Sequence, residues 1–236
     1  MKSLASSSAL IGLLATLGAA SAPASAVVIE SFDGGSWGAG WSNNAAGAVN
    51  AGAAHDGAFG VTLDGGVWTY NTDFQFGEGS KLSAWVKPTA GSNGRVYLGF
   101  GADANGAQSF VGATNTGDIR FQDNPGYGFI ELNTSSFQWT VDSWYLMEVD
   151  WLSGGLAIGN LYAADGSTLL ASVRQDNLPR TCGGVALRGF NGWDLDTVSV
   201  NPLGCGGTPV PEPGSLALIA LGLVGVGFRF GQRRTS

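Results

Sequence analysis

From Val27 to Val200 the chain almost never repeats apolar residues at helical spacing; short β-rich runs recur instead, each closed by turn residues. That pattern restricts the chain to an all-β fold. Val27 to Phe32, Phe59 to Leu63, Val67 to Tyr70, Leu82 to Val86 and Val96 to Phe100 read as strands. So do Trp144 to Trp151, Ala157 to Ala163, Leu169 to Val173, Gly184 to Phe190 and Asp194 to Val200. Ser92-Asn93-Gly94, Asp103-Ala104-Asn105-Gly106, Ser153-Gly154-Gly155 and Asp165-Gly166 read as turns, because Asn, Asp and Gly tolerate the backbone that a tight hairpin needs. Glycine occupies 39 of 236 positions, which favours short strands and tight turns over long helices. Many strands without an internal repeat pack most readily as two antiparallel sheets face to face, and the expected fold is a jelly-roll sandwich.

Two segments fall outside that pattern. Lys2, the apolar run from Ala9 to Ala20 and the small residues of Ala22-Pro23-Ala24-Ser25-Ala26 follow the order of a secretory signal peptide, with cleavage expected after Ala26. At the other end, Thr208-Pro209-Val210-Pro211-Glu212-Pro213-Gly214-Ser215 leads into an uncharged run from Leu216 to Phe228, followed by Arg229, Arg233 and Arg234. The run falls short of the ~20 residues that usually span hydrocarbon, so it is a marginal membrane helix. The arginines would hold its end at the cytoplasmic face. A buried core helix is the alternative, although flanking charges have no purpose there. The chain divides accordingly into a signal peptide (1–26), a β-sandwich domain (27–202), a linker (203–210) and a tail (211–236) whose membrane segment is 215–228.

Charge and cysteine content narrow the partners. Between Val27 and Val210 there are 17 Asp and Glu against 7 Lys and Arg, a balance of −10. A field of that sign repels nucleic acid and anionic lipid, and suits neutral or cationic partners or divalent cations. Cys182 and Cys205 are the only cysteines; in an exported chain they are expected to form a disulfide closing the domain onto the linker. Two thiolates without nearby histidine supply too few ligands for zinc.

The Pro211-Glu212-Pro213 tripeptide, the short hydrophobic segment and the basic end made by Arg229, Arg233 and Arg234 together resemble the PEP-CTERM sorting signal, also known as the ice-binding protein C-terminal domain. That resemblance implies recognition by an exosortase-type membrane transpeptidase of Gram-negative bacteria that make exopolysaccharide. It implies an exported protein, anchored in the inner membrane as an intermediate facing the periplasm and then passed to the cell surface or extracellular matrix. A second resemblance rests on Ser143-Trp144-Tyr145-Leu146-Met147-Glu148-Val149-Asp150-Trp151 with the hairpin that follows, and on Gly183 to Phe190 with Trp193 to Val200. These stretches are similar to the closing strands of the concanavalin A-like lectin/glucanase superfamily, in its laminin-G-like branch. It implies a last strand beside the first, pairing Asp194 to Val200 with Val28 to Phe32.

Three constellations carry possible chemistry. Glu148 and Asp150 share one strand face, as do the nucleophile and acid/base in the E-x-D-x-E strand of retaining glucanases, yet Leu152 stands where the third acid would be. Without it no donor protonates the leaving group, and a solvated strand face is the other reading. Trp37, Trp41, Trp139 and Trp193 sit beside Gly, Ser and Asn, and as loop indoles they would offer flat apolar area to a sugar; packing in the core is the alternative. Trp85, Trp144 and Trp151 are expected in the core. Glu30, Asp33, Asp194 and Asp196 would converge if the first and last strands pair, a set of oxygens suited to a structural calcium. His55 is the single histidine, and no Ser-His-Asp set, HExxH string or phosphate loop is present. The expected function is that of an exported, exosortase-sorted, surface or exopolysaccharide-associated protein with a non-catalytic sandwich binding glycan or matrix. A glycoside hydrolase or lyase of the same superfamily and a purely structural or adhesive surface protein are the alternatives.

Overall fold

The structure, a computed structural model, describes residues 25–42, 46–91, 93–202 and 204–205. Residues 1–24 of the expected signal peptide, the sorting residues and the membrane segment lie outside the described residues. Thirteen strands are present among them: β1 (Val27–Glu30), β2 (Gly47–Asn50), β3 (Gly60–Gly65), β4 (Thr69–Gly77), β5 (Ser80–Pro88), β6 (Arg95–Asp103), β7 (Gly106–Ala113), β8 (Asp118–Pro125), β9 (Ile130–Ser136), β10 (Tyr145–Leu152), β11 (Leu156–Tyr162), β12 (Leu169–Gln175) and β13 (Cys182–Asn201). A 3-10 turn, Ala51–Ala53, lies between β2 and β3. Among the described residues no helix is long and apolar enough to cross a membrane.

Strand β13 organises the fold. Its first half, Cys182 to Phe190, pairs with β6 on one side and β4 on the other. Its second half, from Trp193 on, pairs with β5 and with β3 and β1. Between them Asn191 and Gly192 take positive φ (55° and 83°), the region that Asn and Gly enter most readily, and this bend carries the strand from one layer to the other. The first layer runs β12-β11-β10-β5-β13 and the second β13-β6-β7-β8-β9. The predicted pairing of first and last strands is observed, with Val28 opposite Ser199 and Glu30 opposite Val198.

Between the layers lies one apolar core. Strands β5 and β10 alternate buried and open residues, which sends Leu82, Ala84, Val86, Met147, Val149 and Trp151 inward. Opposite them, Val96, Leu98, Phe100, Phe110 and Phe121 fill the second layer's inner face. Trp151 joins the two, with its ring 5.1 Å from Phe100 and 5.8 Å from Phe76. The layers approach closely at Gly159, where a Cβ would sit 2.5 Å from the Phe110 ring. Cys182 and Cys205 are bridged, as expected. The Asp165-Gly166 turn is also as expected: Ala163 N donates to Thr168 O at 2.9 Å, and the Asp165 carboxylate accepts from the Ser167 and Thr168 amides.

Candidate functional site

The outer face of the second layer is the unusual surface of this domain, because many of its side chains are covered although the described residues form no third layer. Every residue of β7 is buried, on both faces. Three rows of side chains cross this outer face by ladder register. The first is Phe190, Arg95, Ala113, Asp118; the second is Arg188, Tyr97, Val111, Arg120; the third is Ala186, Gly99, Ser109, Gln122. The third row is small along half its length, and a Cβ on Gly99 would meet Ala186 at 2.8 Å. That floor leaves room for rings to lie over the sheet.

Five rings gather there. Trp68, Tyr70 and Tyr127 pack against Ala102, Ala107 and Ala186. Tyr127 stacks on Tyr70 (5.4 Å, 16°), and Trp68 contacts Tyr97 at 5.2 Å and Tyr127 at 5.1 Å. Phe129 completes the group, 6.0 Å from Tyr97 and 51% exposed. Tyr127 and Phe129 come from the β8–β9 turn, which is held down at several points: Gly126 N donates to Asn105 O (2.6 Å), Asn124 Nδ2 to Gly128 O (2.7 Å) and Tyr127 Oη to Asp103 O (2.8 Å). Tyr127 itself has φ 60°, the left-handed geometry that turns its ring back over the sheet. Burial, with Tyr70 and Asp103 beside it, pushes the Tyr127 phenol up, so it stays protonated.

Arg188 stands in the middle of the rings. Its guanidinium carbon lies 4.8 Å from the Phe129 centroid, 4.9 Å from Phe190, 5.0 Å from Tyr97 and 5.9 Å from Trp68. Nε donates to Gly66 O at 2.8 Å. Along the same face Arg120 donates to Asp118 and to Glu131 (2.7 Å), and Arg95 donates to Glu131 at 3.0 Å. Burial pushes the Glu131 carboxyl up, and the hydrogen bonds led by Arg120 more than reverse this, holding it below the ordinary carboxylate range. Such a face can bind: it combines stacking area with fixed polar groups.

The tryptophans singled out from sequence are elsewhere. Trp193 is fully buried in the core, and Trp139 packs edge-on against it at 5.0 Å with its N–H donated to Asp118 O. Trp37 and Trp41 touch each other at 5.2 Å, and their N–H groups point inward, to Gly47 O (3.0 Å) and Glu30 Oε2 (2.9 Å). The four therefore form two pairs that plug the domain, and they do not form one glycan surface. Trp85 and Trp144, expected in the core, lie instead on the outer face of the first layer around His55, which stacks on Trp85 at 3.8 Å.

The four carboxylates expected to share a calcium are separated in use. Glu30 accepts from Phe32 N, Gly38 N and Trp41 Nε1; Asp33 accepts from Ala58 N. Asp194 is paired with Lys87 at 2.9 Å and accepts from Thr62 Oγ1. Asp196, fully buried, accepts from the amides of His55, Asp56 and Thr197; burial pushes its carboxyl up and those amides oppose the shift. Strand pairing alone does not converge these side chains, and among the described residues no group of three or more His, Cys, Asp or Glu is placed to hold a metal. Glu148 and Asp150 do share the outer face of the first layer, but Lys81 sits 2.9 Å from each and bridges them. Leu152 ends that strand without an acid.

Sequence reasoning passed over the ring cluster. The available signal was Gly126-Tyr127-Gly128-Phe129, two aromatics set between glycines, together with a neighbouring strand of small residues, Gly106-Ala107-Gln108-Ser109.

Comparison with known proteins adds an address and a fold. Residues 209–234 carry a PEP-CTERM protein-sorting motif. None of the curated proteins matches the chain. Among solved structures, the carbohydrate-binding module CBM66 from Bacillus subtilis superposes with a TM-score of 0.52 at 12% identity, over 68% of this chain and 94% of that one. The Caenorhabditis elegans galectin LEC-6 gives 0.43 at 13% identity, over 59% of this chain and 92% of that one. The VIP36 exoplasmic/lumenal domain in its Ca2+/Man3GlcNAc-bound form gives 0.45 at 12% identity, over 67% and 82%. At this identity the first likeness speaks for a shared β-sandwich fold and no more. The PEP-CTERM motif speaks for export.

Proposed function

We propose that this PEP-CTERM protein is an exported, exosortase-sorted surface or exopolysaccharide-associated protein whose β-sandwich is a non-catalytic glycan-binding module. In this reading the sandwich is a jelly roll of the concanavalin A-like type covering 27–202. Residues 1–26 are a signal peptide, 203–210 a linker, and 211–236 a tail with a membrane segment at 215–228. Pro211, Glu212 and Pro213 with Arg229, Arg233 and Arg234 present that tail to the transpeptidase.

The observation that carries the binding reading is the set of rings around Arg188, laid over the small residues of β6, β7 and β13. Stacking area beside fixed hydrogen-bonding groups is what a sugar ring needs, with apolar C–H faces and hydroxyl edges. The solved carbohydrate-binding module CBM66, similar in fold, supports the same class of ligand. Against catalysis stand Lys81 between Glu148 and Asp150, and Leu152 at the third position.

A glycan array probed with the purified protein tests this. Selective retention that is lost in Phe129→Ala, with the glycan recovered intact, is the expected outcome. Turnover of the retained glycan would favour the hydrolase alternative, and silence across the array the structural one. Sorting is tested apart, by changing Pro211, Glu212 and Pro213 to Ala in a host with exosortase; unchanged processing and release would remove the sorting assignment.

A further inference from the structure

Seven Lys and Arg lie among the described residues, and six of them face a carboxylate. Lys81 pairs with Glu148 and Asp150, Lys87 with Asp194, Arg95 with Glu131, Arg120 with Asp118 and Glu131, Arg174 with Asp176, and Arg180 with Asp103. In a domain with this excess of acid, pairing is the expected fate of a cation. Arg188 alone, among the described residues, has no carboxylate partner, and it stands in the middle of the ring cluster.

Its single strong bond uses Nε, donated to Gly66 O. The guanidinium carbon stands over the rings of Tyr97, Phe129 and Phe190, whose electron-rich faces attract the charge without accepting its hydrogen bonds; the Tyr97 hydroxyl also bonds the fork, and the terminal nitrogens carry more donors than these acceptors fill. Burial pushes the guanidinium pKa down, with the Tyr97 hydroxyl opposing, which marks a charge stripped of water and only partly compensated. The Trp68 indole N–H, covered by the same cluster, also has no acceptor. The unmet groups here are donors. A ligand that supplies acceptors only, in a plane matching the guanidinium fork, completes them.

We propose that the glycan bound at this face carries a carboxylate, as a uronic acid does, and that Arg188 receives it bidentately between Phe129 and Tyr97. The inference rests on the glycan-binding reading above and names its ligand class. The negative balance of the domain does not forbid it. At physiological ionic strength charges more than about 8 Å apart are largely screened, so a carboxylate against Arg188 responds chiefly to Arg188. Lysine would not serve equally, since its point charge lacks the planar fork.

The test uses the full chain in mild detergent and affinity electrophoresis through four polymers: polygalacturonate, the same polymer with its carboxyls reduced, dextran sulfate and dextran. Retardation by polygalacturonate at least about tenfold stronger than by the reduced polymer, falling to the reduced level in Arg188→Gln at unchanged melting temperature, supports the assignment. Should Arg188→Gln fail to fold, Arg188→Lys is read instead, and loss of most of the preference is expected there too. Equal retardation by the carboxyl-reduced polymer overturns the assignment, as does a preference surviving in the variants. Dextran sulfate matching polygalacturonate overturns it as well, because charge without carboxylate geometry would then suffice. If neutral sugars from the array are held through Phe129 while no acidic preference exists, only this inference falls; if no glycan is held at all, the binding reading falls with it.

Discussion

Truncating Phe129 and truncating Trp193 are expected to separate binding from stability. Phe129 is 51% exposed over the Arg188 guanidinium. An aromatic side chain presents roughly 200 Å², so about 100 Å² of Phe129 is open to a ligand. A sugar face covering half of that contributes about 1 kcal/mol at ~25 cal/mol per Å². Phe129→Ala should therefore weaken retention of a bound glycan by about 1 kcal/mol, roughly 5-fold in Kd. Its covered half bounds the folding loss near 2 kcal/mol, or about 4–8 °C in Tm. Trp193, fully buried against Trp139 and the core, behaves inversely. Trp193→Ala should remove about 4 kcal/mol of stability, roughly 8–16 °C, while the molecules that remain folded bind as before. Calorimetric melting beside affinity electrophoresis on the glycans retained in the array reads both. A Phe129→Ala protein that binds normally, or a folded Trp193→Ala protein that does not, would refute the placement of the site on the second layer.

Three other outcomes follow from the same geometry. The Cys182–Cys205 bridge spans a separation of 23 residues, and replacing both cysteines by Ser should lower unfolding free energy by about 3 kcal/mol, read from denaturant melts with and without reductant. Glu131, whose carboxyl is held below the ordinary 4.5, stabilises the fold fully above that value and loses its contribution as pH falls through its lower folded pKa. Melting temperatures of wild type and Glu131→Gln should thus differ by a constant amount above about pH 5 and converge below 4.5; a gap that widens in acid would contradict the Arg120 and Arg95 contacts. Calcium and chelator should leave Tm unchanged, because Glu30, Asp33, Asp194 and Asp196 are engaged separately; a calcium-dependent rise of several degrees would show that the chelating set had been missed.

What sequence could reveal depended on whether a strand has one wet face. Strands β5 and β10 do, and their alternation was readable as Leu82-Ser83-Ala84-Trp85-Val86 and its counterpart. Strand β7 has none: every residue is buried, with Trp68, Tyr70 and Tyr127 packed over the cluster that holds Ala107, and Gly106 to Ala113 consequently shows no period and does not read as a strand. Strand β8 alternates Ile119 and Phe121 against Asp118, Arg120 and Gln122, but its polar residues are buried in a network and not solvated, which hides their role from composition. The misplaced tryptophans have a related cause. A Trp beside Gly and Asn suggests an exposed loop, yet the indole N–H of Trp37, Trp41 and Trp139 each finds an internal acceptor, and with that bond made the ring belongs inside.

The first half of β13 ties the site to the end of the domain. Cys182 opens the strand against Gly77 of β4, and the disulfide draws Cys205 to the same place, where a Cβ on Gly77 would lie 3.3 Å from the Cys205 Cα. The chain that continues toward the PEP-CTERM motif therefore starts at that end of the second layer. Arg188 is six residues further along β13, roughly 20 Å at ~3.3 Å per residue. A polymer lying over the second row, that of Arg188, crosses β6, β7 and β8 perpendicular to β13, so it passes the exit of the tail at about a strand's length and does not meet it. Because the bridge fixes Cys205 against the sheet, tension on the tail acts on β4 and β13, which carry the covered floor, and leaves the β8–β9 turn with Tyr127 and Phe129 free of load. On the proposed reading a held tail and a bound glycan are thus compatible in one small domain, and breaking the disulfide should free Cys205 from the sheet without removing glycan binding.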